Sequence, residues 1–400
     1  MKKIILSISL TAILFTMSNC EQSAPEITSV NISSDFAAKT SNFAFDFWRT
    51  LQTDESVDKN YFISPLSLHI ALGMLLNGAD TDTKTEIQKV LGLENQSMEE
   101  INKTYLELIE NLPKVDPKVV NTIANSIWQD KNFSSEQTFI DNLSTSFKAR
   151  LYNEDFGNTA TVEKINKWAS DNTNAKIKKI LEQIEPSQVM FLINALYFKG
   201  DWTKEFKTEN TQKVEFNGTK ATKMVDMMSQ TSEFKYGDLE NYQLVELPYG
   251  NEKYNMTVLL PKSGTVEDLV SKLDATKWQA AQNSMVKSKV VVGLPKFTIE
   301  YSKKLNDILQ KMGMVKAFGG QADLSKIAKP AGKLKVGFVK QDTFVAVDEK
   351  GTEAAAVTTI GIKLTSLPVY PEIICNKPFA FLITEKTSNT IMFIGKVSNL

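Results

Sequence analysis

The side chains that carry most enzyme chemistry are scarce in this chain of 400 residues. It contains one histidine, His69, which lies in the apolar helical pattern of residues 66–72. A hydrolase that uses a serine or cysteine nucleophile also needs a base and a group that orients the base, and no Gly-x-Ser-x-Gly motif accompanies the histidine. A single histidine on such a helix is most often structural, so we interpret His69 as a core residue.

Metal and cofactor chemistry is also disfavoured by the residue types. One histidine and two cysteines do not provide the usual ligands of a zinc site, and the chain has no Gly-rich phosphate-binding loop. Acidic residues are plentiful, so sequence does not exclude a pair of catalytic carboxylates, but no motif singles one out. We therefore predict no catalytic residue, no metal and no cofactor, and a protein that is not an enzyme.

The first of the two cysteines indicates a different chemistry, the attachment of lipid. Lys2 and Lys3 precede an apolar run over residues 4–17, which is too short to span a bilayer and is typical of a cleaved signal peptide. We assign residues 1–19 to that signal. The protein is therefore expected to be exported.

Residues 17–20, Met-Ser-Asn-Cys, resemble a bacterial lipobox, in which the cysteine becomes the lipidated first residue of the mature chain. Asn19 departs from the small residue usual at that position. The resemblance implies that acyl chains on Cys20 anchor the protein to the bacterial cell envelope, at the outer membrane or the cell surface. The alternative is an ordinary secretory signal and a secreted protein.

The rest of the chain divides into a tether and one folded body. Residues 20–33 are polar, contain a proline and lack aromatic residues, and we predict a flexible tether there. Residues 34–400 are interpreted as a single domain. Once Cys20 is lipidated, Cys375 has no partner for a disulfide and is expected to be a small buried side chain.

Composition supports a globular protein with a large core, since 42% of the residues are hydrophobic and 23% are charged. The net charge of −1 gives no electrostatic reason to expect a nucleic acid as a partner. Helical spacing dominates the first third of the chain and strand-like runs dominate the rest, without regular alternation. This order predicts the α+β class. The predicted helices cover residues 65–76, 83–91, 98–112, 135–147, 162–172, 266–282 and 302–312, and the predicted strands cover residues 119–128, 189–198, 244–248, 255–260, 290–299, 338–347, 372–384 and 390–397.

The segment of about residues 349–371 fits neither a typical loop nor a typical buried strand. It is rich in Ala and Thr and has no bulky side chain before Ile360. At a period of two, Thr352 and Thr358 lie on one face with two alanines between them, and nothing along the run is large enough to obstruct its passage between strands. The alternative is a loop of low specificity or a short helix.

Several motifs resemble the serpin family of protease inhibitors, in the order in which that family has them. Glu349-Lys350-Gly351-Thr352-Glu353 and the alanines that follow resemble the serpin hinge, and Asn376-Lys377-Pro378-Phe379 resembles a marker beyond its loop. The resemblance runs from about residue 43 to residue 400. The other matching fragments are residues 60–67, 75–79, 193–202, 245–249, 294–297 and 322–325.

The resemblance implies a serpin fold, with a multi-helix body on a large mixed sheet, two smaller sheets and an exposed reactive-centre loop. It implies roles for six residues where the strands of the main sheet must part. Lys296 would pair with Glu349, and Gln341 stands where the family often has a histidine, so that no titratable group is present there. The six residues are Ser64, Ser67, Asn194, Gln341, Trp202 and Lys296.

The resemblance also implies a mechanism, in which a protease attacks the loop and the freed hinge inserts into the main sheet while the acyl-enzyme still exists. The expected targets are serine endopeptidases, with cysteine endopeptidases as a second class, and the inhibitor is expected to be a monomer. A non-inhibitory serpin and a surface-anchored binding lipoprotein are the alternatives. The hinge residues are Glu349, Gly351, Thr352, Ala354, Ala355, Ala356, Val357 and Thr358.

The reactive bond follows from the family's usual spacing after Glu349, which puts it between Thr365 and Ser366. Counting back from residues 376–379 allows a shift to Lys363, Leu364 or Leu367. Lys363 suits a trypsin-like pocket, Leu364 a chymotrypsin-like or subtilisin-like pocket and Thr365 a small elastase-like pocket, so we expect targets of more than one class.

Overall fold

The computed structural model describes residues 29–329, 334–352 and 370–400. Three predictions lie outside these residues. They are the signal peptide with Cys20, the hinge from Ala354 to Thr358, and the reactive bond with its neighbours. Over the residues described, no helix is both long enough and apolar enough to cross a membrane.

Helices surround the sheets, and several begin at caps that the sequence encodes. Ser33 accepts a hydrogen bond from the N–H of Phe36 at the start of α1, and Ser97 with Glu100 forms a capping box before α4. The helices are α1 (Ser34–Gln52), α2 (Pro65–Leu76), α3 (Thr81–Leu91), α4 (Met98–Asn111), α5 (Gln137–Ser146), α6 (Ala160–Asn172), α7 (Val266–Lys272), α8 (Ala275–Ser284) and α9 (Asn306–Lys311).

The strands of the first part of the fold are β1 (Tyr61–Ile63), β2 (Val119–Asp130), β3 (Arg150–Glu154), β4 (Met190–Asp201), β5 (Gln212–Asn217), β6 (Thr222–Asp238), β7 (Tyr242–Tyr249) and β8 (Tyr254–Pro261). They are followed by β9 (Val286–Pro295), β10 (Phe297–Lys304), β11 (Lys340–Val347), β12 (Gly351–Thr352), β13 (Glu372–Ile374), β14 (Phe379–Glu385) and β15 (Thr390–Val397). Hydrogen bonding joins the described strands into two sheets.

The six-stranded sheet has the order β10-β11-β12-β4-β2-β3. Strand β12 is antiparallel to β11 and to β4, so these two long strands run parallel to each other. Along the other edge of β4, β2 pairs antiparallel with it over eleven residue pairs, from Val119 opposite Gly200 to Gln129 opposite Met190. Strand β12 therefore connects β11 to β4 within the sheet, although it is only two residues long.

The nine-stranded sheet has the order β1-β15-β14-β8-β7-β6-β9-β13, and β5 also pairs with β6. The long strand β6 pairs with β5 over Thr222–Met227 and with β7 over Lys235–Asp238. The two smaller sheets that the serpin resemblance implies are therefore continuous with each other through β6.

The main core lies between the two sheets, where α2 is buried along nearly its whole length. A second apolar cluster lies on the outer face of the six-stranded sheet, under α6, and includes Trp128, Ile165, Leu181 and Phe191. Because side chains alternate along a strand, β4 contributes Leu192 to the main core and Phe191 to the outer cluster.

The folded body begins earlier in the chain than predicted, so the tether is shorter than residues 20–33. Val30 is 5% exposed and belongs to the main core, and the N–H of Asn31 donates to a carboxylate oxygen of Glu107 at 2.8 Å. Val30 and Ile32 are apolar, and their burial holds this part of the chain on the body. A flexible tether must therefore end before Val30.

Candidate functional site at the gap in the six-stranded sheet

The central feature of the site is a gap between β4 and β11. Within the described residues, no ladder joins the two strands directly, and β12 fills only one end of the space between them. Beyond β12 lies a cavity of about 380 Å³ whose lining includes residues 187–196 on one side and residues 334–343 on the other. At the end that β12 occupies, the gap is one strand wide.

The chain turns into this gap through a tight hairpin between β11 and β12. The N–H of Asp348 donates to the carbonyl of Gly351 at 2.9 Å, and the Asp348 carboxylate accepts from the N–H groups of Lys350 and Gly351. Asp348 thus satisfies the turn with its own side chain, as aspartate commonly does. Burial raises the pKa of Asp348, and these backbone hydrogen bonds offset part of that rise.

Gly351 is required for close packing. A Cβ at this position would lie 2.1 Å from the carbonyl oxygen of Gly200 and 2.7 Å from the Cα of Asp201. Its φ lies outside the left-handed region, so the hinge does not need glycine for its backbone angle here. Glycine at this hinge position is therefore explained by the close approach of two backbones.

Thr352 is the last residue of β12 and is 3% exposed. It lies opposite Val347 on one side and Gly200 on the other. Its hydroxyl shares a hydrogen bond of 2.7 Å with the hydroxyl of Tyr249. This hinge residue is therefore already inside the sheet.

Trp202 closes the end of the gap where β12 lies. Its indole N–H donates to the carbonyl of Asp348 at 3.0 Å, and its backbone N–H donates to the carbonyl of Lys350 at 2.7 Å. The indole stacks on Tyr249 with ring centroids 4.4 Å apart. Trp202 thus holds both the turn and the tyrosine that contacts Thr352.

Glu349 and Lys296 form an ion pair beside the turn, with Lys296 Nζ 2.8 Å from Glu349 Oε2. The hydroxyl of Thr211 donates to the other carboxylate oxygen at 2.9 Å. Burial raises the pKa of Glu349, but the hydrogen bonds from Lys296 and Thr211 outweigh it, so the pKa lies below its usual value. The glutamate is only 4% exposed and is ionised near neutral pH.

Below the gap, Gln341 of β11 is bound to the start of α2. Its Oε1 accepts from the N–H of Ser64 at 3.0 Å, and its Nε2 donates to the carbonyl of Ser64 at 2.8 Å. The hydroxyl of Ser64 accepts from the N–H of Ser67 and donates to the carbonyl of Met392. Ser67 joins this network through its backbone, and the predicted Ser64–Ser67–Gln341 group is contiguous.

Asn194 lies on the other side of the cavity, away from this network. Its Nδ2 donates to Asn125 Oδ1 at 2.8 Å, and Asn125 in turn donates to the carbonyl of Phe147. Asn194 Oδ1 is buried and accepts no hydrogen bond from the residues that the structure describes. An unpaired acceptor therefore lines the gap.

Sequence reasoning missed three partners of the site: Tyr249, Thr211 and Asn125. Tyr249 does stand in one of the matching fragments, residues 245–249, which was a signal for it. Nothing in the local sequence marks Thr211 or Asn125, because their contacts join segments 138 and 69 residues apart.

His69 lies away from this site in the helical core, as its sequence context predicts. Its Nδ1 is 2.9 Å from the hydroxyl of Tyr105 and its Nε2 is 3.3 Å from the carbonyl of Leu91. Burial lowers the pKa of His69 to about 4. In the part of the chain that the structure covers, no three His, Cys, Asp or Glu side chains are grouped as metal ligands.

Comparisons with known proteins agree with this fold. The family model described as Serpin (serine protease inhibitor) matches residues 38–400. Human Serpin B4 is 35% identical, with 89% of this chain and 97% of the relative covered. An uncharacterised serpin-like protein of Thermococcus kodakarensis is 33% identical, with 90% and 84% covered.

Among solved structures, the thermophilic serpin tengpin in its native state superposes with a TM-score of 0.85 and 32% identity, covering 94% of this chain and 96% of that chain. The predicted α+β serpin fold is confirmed by these matches. The chain belongs to the serpin family of serine protease inhibitors.

Proposed function

We propose that this protein is a suicide-substrate inhibitor of serine endopeptidases, and that it also accepts cysteine endopeptidases. The observation that carries the proposal is the gap between β4 and β11, with the start of the hinge already paired at one end of it. A strand that continued from Thr352 would be antiparallel to both neighbours, which is the most favourable arrangement for ladder hydrogen bonds.

The observed register predicts how far such a strand can extend. Thr352 lies opposite Gly200, and β4 continues from Lys199 to Met190, so ten more residues, 353–362, would find partners on β4. Ladder hydrogen bonds contribute about 0.5–1.5 kcal/mol each. Insertion of the whole segment would therefore release about 10 kcal/mol or more, enough to drive a large displacement.

Continued beyond Thr352, the same register would put Ala354, Ala356 and Thr358 on the inner side of the sheet. Ala354 and Ala356 would lie opposite Phe198 and Leu196, where larger side chains would collide with the buried core. Thr358 would lie opposite Asn194 on one side and Gln341 on the other. Its hydroxyl is then a suitable donor to the unpaired Oδ1 of Asn194.

The chemistry of trapping uses the protease's own nucleophile. With Thr365–Ser366 as the bond, the protease serine adds to the carbonyl carbon of Thr365 and the C–N bond breaks. The serine's proton passes through the protease's histidine to the new amino group of Ser366, and residue 365 is left as an ester on the protease. Insertion of the released hinge then moves the bound protease away from its docking position and distorts its active site before water hydrolyses the ester.

The proposal extends to target range and location. Neighbouring Lys363, Leu364 and Thr365 suit different primary specificity pockets, so we propose targets of several protease classes. We further propose that the protein is exported, acts as a monomer, and is held on the bacterial cell envelope through lipid on Cys20. Its inhibition would then protect that surface from proteases outside the cell.

One experiment tests the inhibitory function. The protein is mixed with trypsin-, elastase- and subtilisin-like proteases, and complexes that survive denaturant are sought by gel electrophoresis and mass spectrometry. We expect a covalent complex of one inhibitor with one protease, and a cleaved form that resists unfolding better than the native form. No complex with any protease, together with no gain of stability on cleavage, would favour a non-inhibitory role.

A further inference from the structure

The lower part of the cavity differs in chemistry from the upper part. Near β12 the lining is polar and includes Ser64, Asn194 and Gln341. Farther from β12 the lining is mainly apolar and comes from α2, β4 and the chain on both sides of residues 330–333. The apolar residues there include Leu68, Leu72, Leu75, Leu192, Ile327 and Val339, and Ser187, Gln188 and Lys335 also line this end. A strand that reached this depth would need an apolar side chain on its inner face.

On the outer face of the sheet, two aromatic rings reach across the same part of the gap. Phe191 of β4 and Phe338, just before β11, have ring centroids 5.9 Å apart. Both belong to the outer cluster under α6. Asn166 of α6 fixes the segment above them, since its side chain accepts from the N–H groups of Ile180 and Leu181 and donates to the carbonyl of Leu181.

The observed register brings specific residues to these two places. Eight residues beyond Thr352, Ile360 would lie opposite Leu192 and Val339, both of which contact the main core. One residue further, Gly361 would lie opposite Phe191 and Phe338, both on the outer face. Ile360 is the first bulky side chain of the loop, and Gly361 is the only glycine of residues 353–369.

We propose that Ile360 and Gly361 set the depth at which the inserted loop seats. Ile360 fills the apolar lower part of the cavity, and Gly361 lies beneath the Phe191–Phe338 pair without displacing it. The occupant of the lower cavity is thus the chain's own segment, residues 353–362. This inference rests on the proposed inhibitory mechanism, because it assumes that the loop inserts.

The first test compares Ile360→Ala with Val357→Ala. Val357 carries an aliphatic side chain that the register places on the outer face, opposite Ala195, so it is a matched control for loss of apolar volume. Each full-length protein is cleaved in the loop beyond residue 362, the cleavage site is verified by mass spectrometry, and the monomer is isolated. Guanidinium chloride midpoints are then measured for the native and cleaved forms.

We expect Ile360→Ala to lower the midpoint of the cleaved form by about 0.5 M and to leave the native midpoint unchanged, and we expect Val357→Ala to change the cleaved form much less. Equal midpoints for cleaved Ile360→Ala and cleaved wild type would overturn the seating. A wild-type protein that gains no stability on cleavage would instead overturn loop insertion itself, and the seating with it.

The second test addresses the ring pair. Gly361→Val should reduce the fraction of protease trapped while the rate of loop cleavage stays the same, because the new side chain must displace Phe191 or Phe338. Adding Phe338→Ala to Gly361→Val should restore trapping, since it removes one of the rings. Full trapping by Gly361→Val alone, or no recovery in the double variant, would contradict the proposed place of Gly361.

Discussion

Under the proposed mechanism, replacing Thr352 with arginine should turn the protein from an inhibitor into a substrate without unfolding it. Thr352 is 3% exposed and is enclosed by Val347, Gly200 and the Tyr249 hydroxyl. A guanidinium group has no acidic partner among those three residues and would be costly to bury there. The arginine is therefore expected to keep β12 out of the sheet, so that its two residues become exposed.

The magnitude follows from the contacts that β12 makes. Its ladder consists of the residue pairs Thr352–Val347, Thr352–Gly200 and Gly351–Asp201. Taking an average of one hydrogen bond of about 1 kcal/mol for each pair, their loss costs about 3 kcal/mol. Insertion must pass through this first pair before the next residues can follow. A barrier raised by about 3 kcal/mol slows insertion by about 100-fold, so hydrolysis of the acyl-enzyme overtakes trapping.

The assay titrates a fixed amount of protease with inhibitor and measures the number of inhibitor molecules consumed for each protease inactivated. We expect this number to rise at least tenfold in Thr352→Arg, while loop cleavage keeps its rate and the native unfolding transition remains cooperative. Thr352→Val is the control, because it removes the hydrogen bond to Tyr249 but keeps the shape of the side chain and introduces no charge. One-to-one trapping by Thr352→Arg would refute insertion through this pair.

Three further predictions concern the residues around the turn and the buried histidine. Gly351→Ala should displace β12, because its Cβ would meet the carbonyl of Gly200, and lower the free energy of unfolding by about 1–3 kcal/mol in urea titrations; an unchanged value would contradict the steric reason. Lys296→Met should lower the free energy of unfolding by about 1–2 kcal/mol at pH 7 and leave it unchanged below the pKa of Glu349. The native pKa of Glu349 is lowered, so the stability that the ion pair gives is lost on acidification. A loss independent of pH would contradict the ion pair. His69 has its native pKa lowered from 6.5 to about 4, so proton binding by His69 in the unfolded state should remove about 3 kcal/mol of stability between pH 7 and pH 4. In urea titrations over this range His69→Gln should lose about that much less than wild type, and an equal loss in the two proteins would contradict the lowered pKa.

Much of the fold was predictable because its signals are local. The helix at residues 65–76 and the strand at residues 390–397 have the predicted bounds in the structure, since a proline begins the helix and β-branched residues fill the strand. Where two elements follow each other closely, the sequence pattern predicted a single element. The predicted helix 266–282 is two helices, α7 and α8, separated at Asp274. The predicted strand 290–299 is two strands, β9 and β10, separated at Lys296. Strand β6 was missed because its Lys, Ser and Thr residues give weak strand periodicity.

The residues of the site were predictable from family resemblance, but their arrangement was not. The sequence grouped Asn194 with Ser64 and Gln341, whereas the structure connects Asn194 to Asn125 across β2 and β4. It also did not show that β12 already pairs at one end of the gap. Both facts depend on strand register, which is fixed by contacts between segments distant in the chain, such as Asn194 with Asn125, 69 residues away, and Thr352 with Gly200, and which has no local signature.

The energy that would drive insertion is concentrated in one part of the molecule. Over residues 190–199, the described ladders of β4 run on one side only, to β2, so an inserted strand could pair along its other edge. The unpaired Asn194 Oδ1 lies at the middle of that edge, and Lys296 with Glu349 and Trp202 holds its upper end. The native state is thus stabilised at the turn and left incomplete below it. The turn should therefore control when insertion starts, and the composition of residues 353–362 should control whether it finishes.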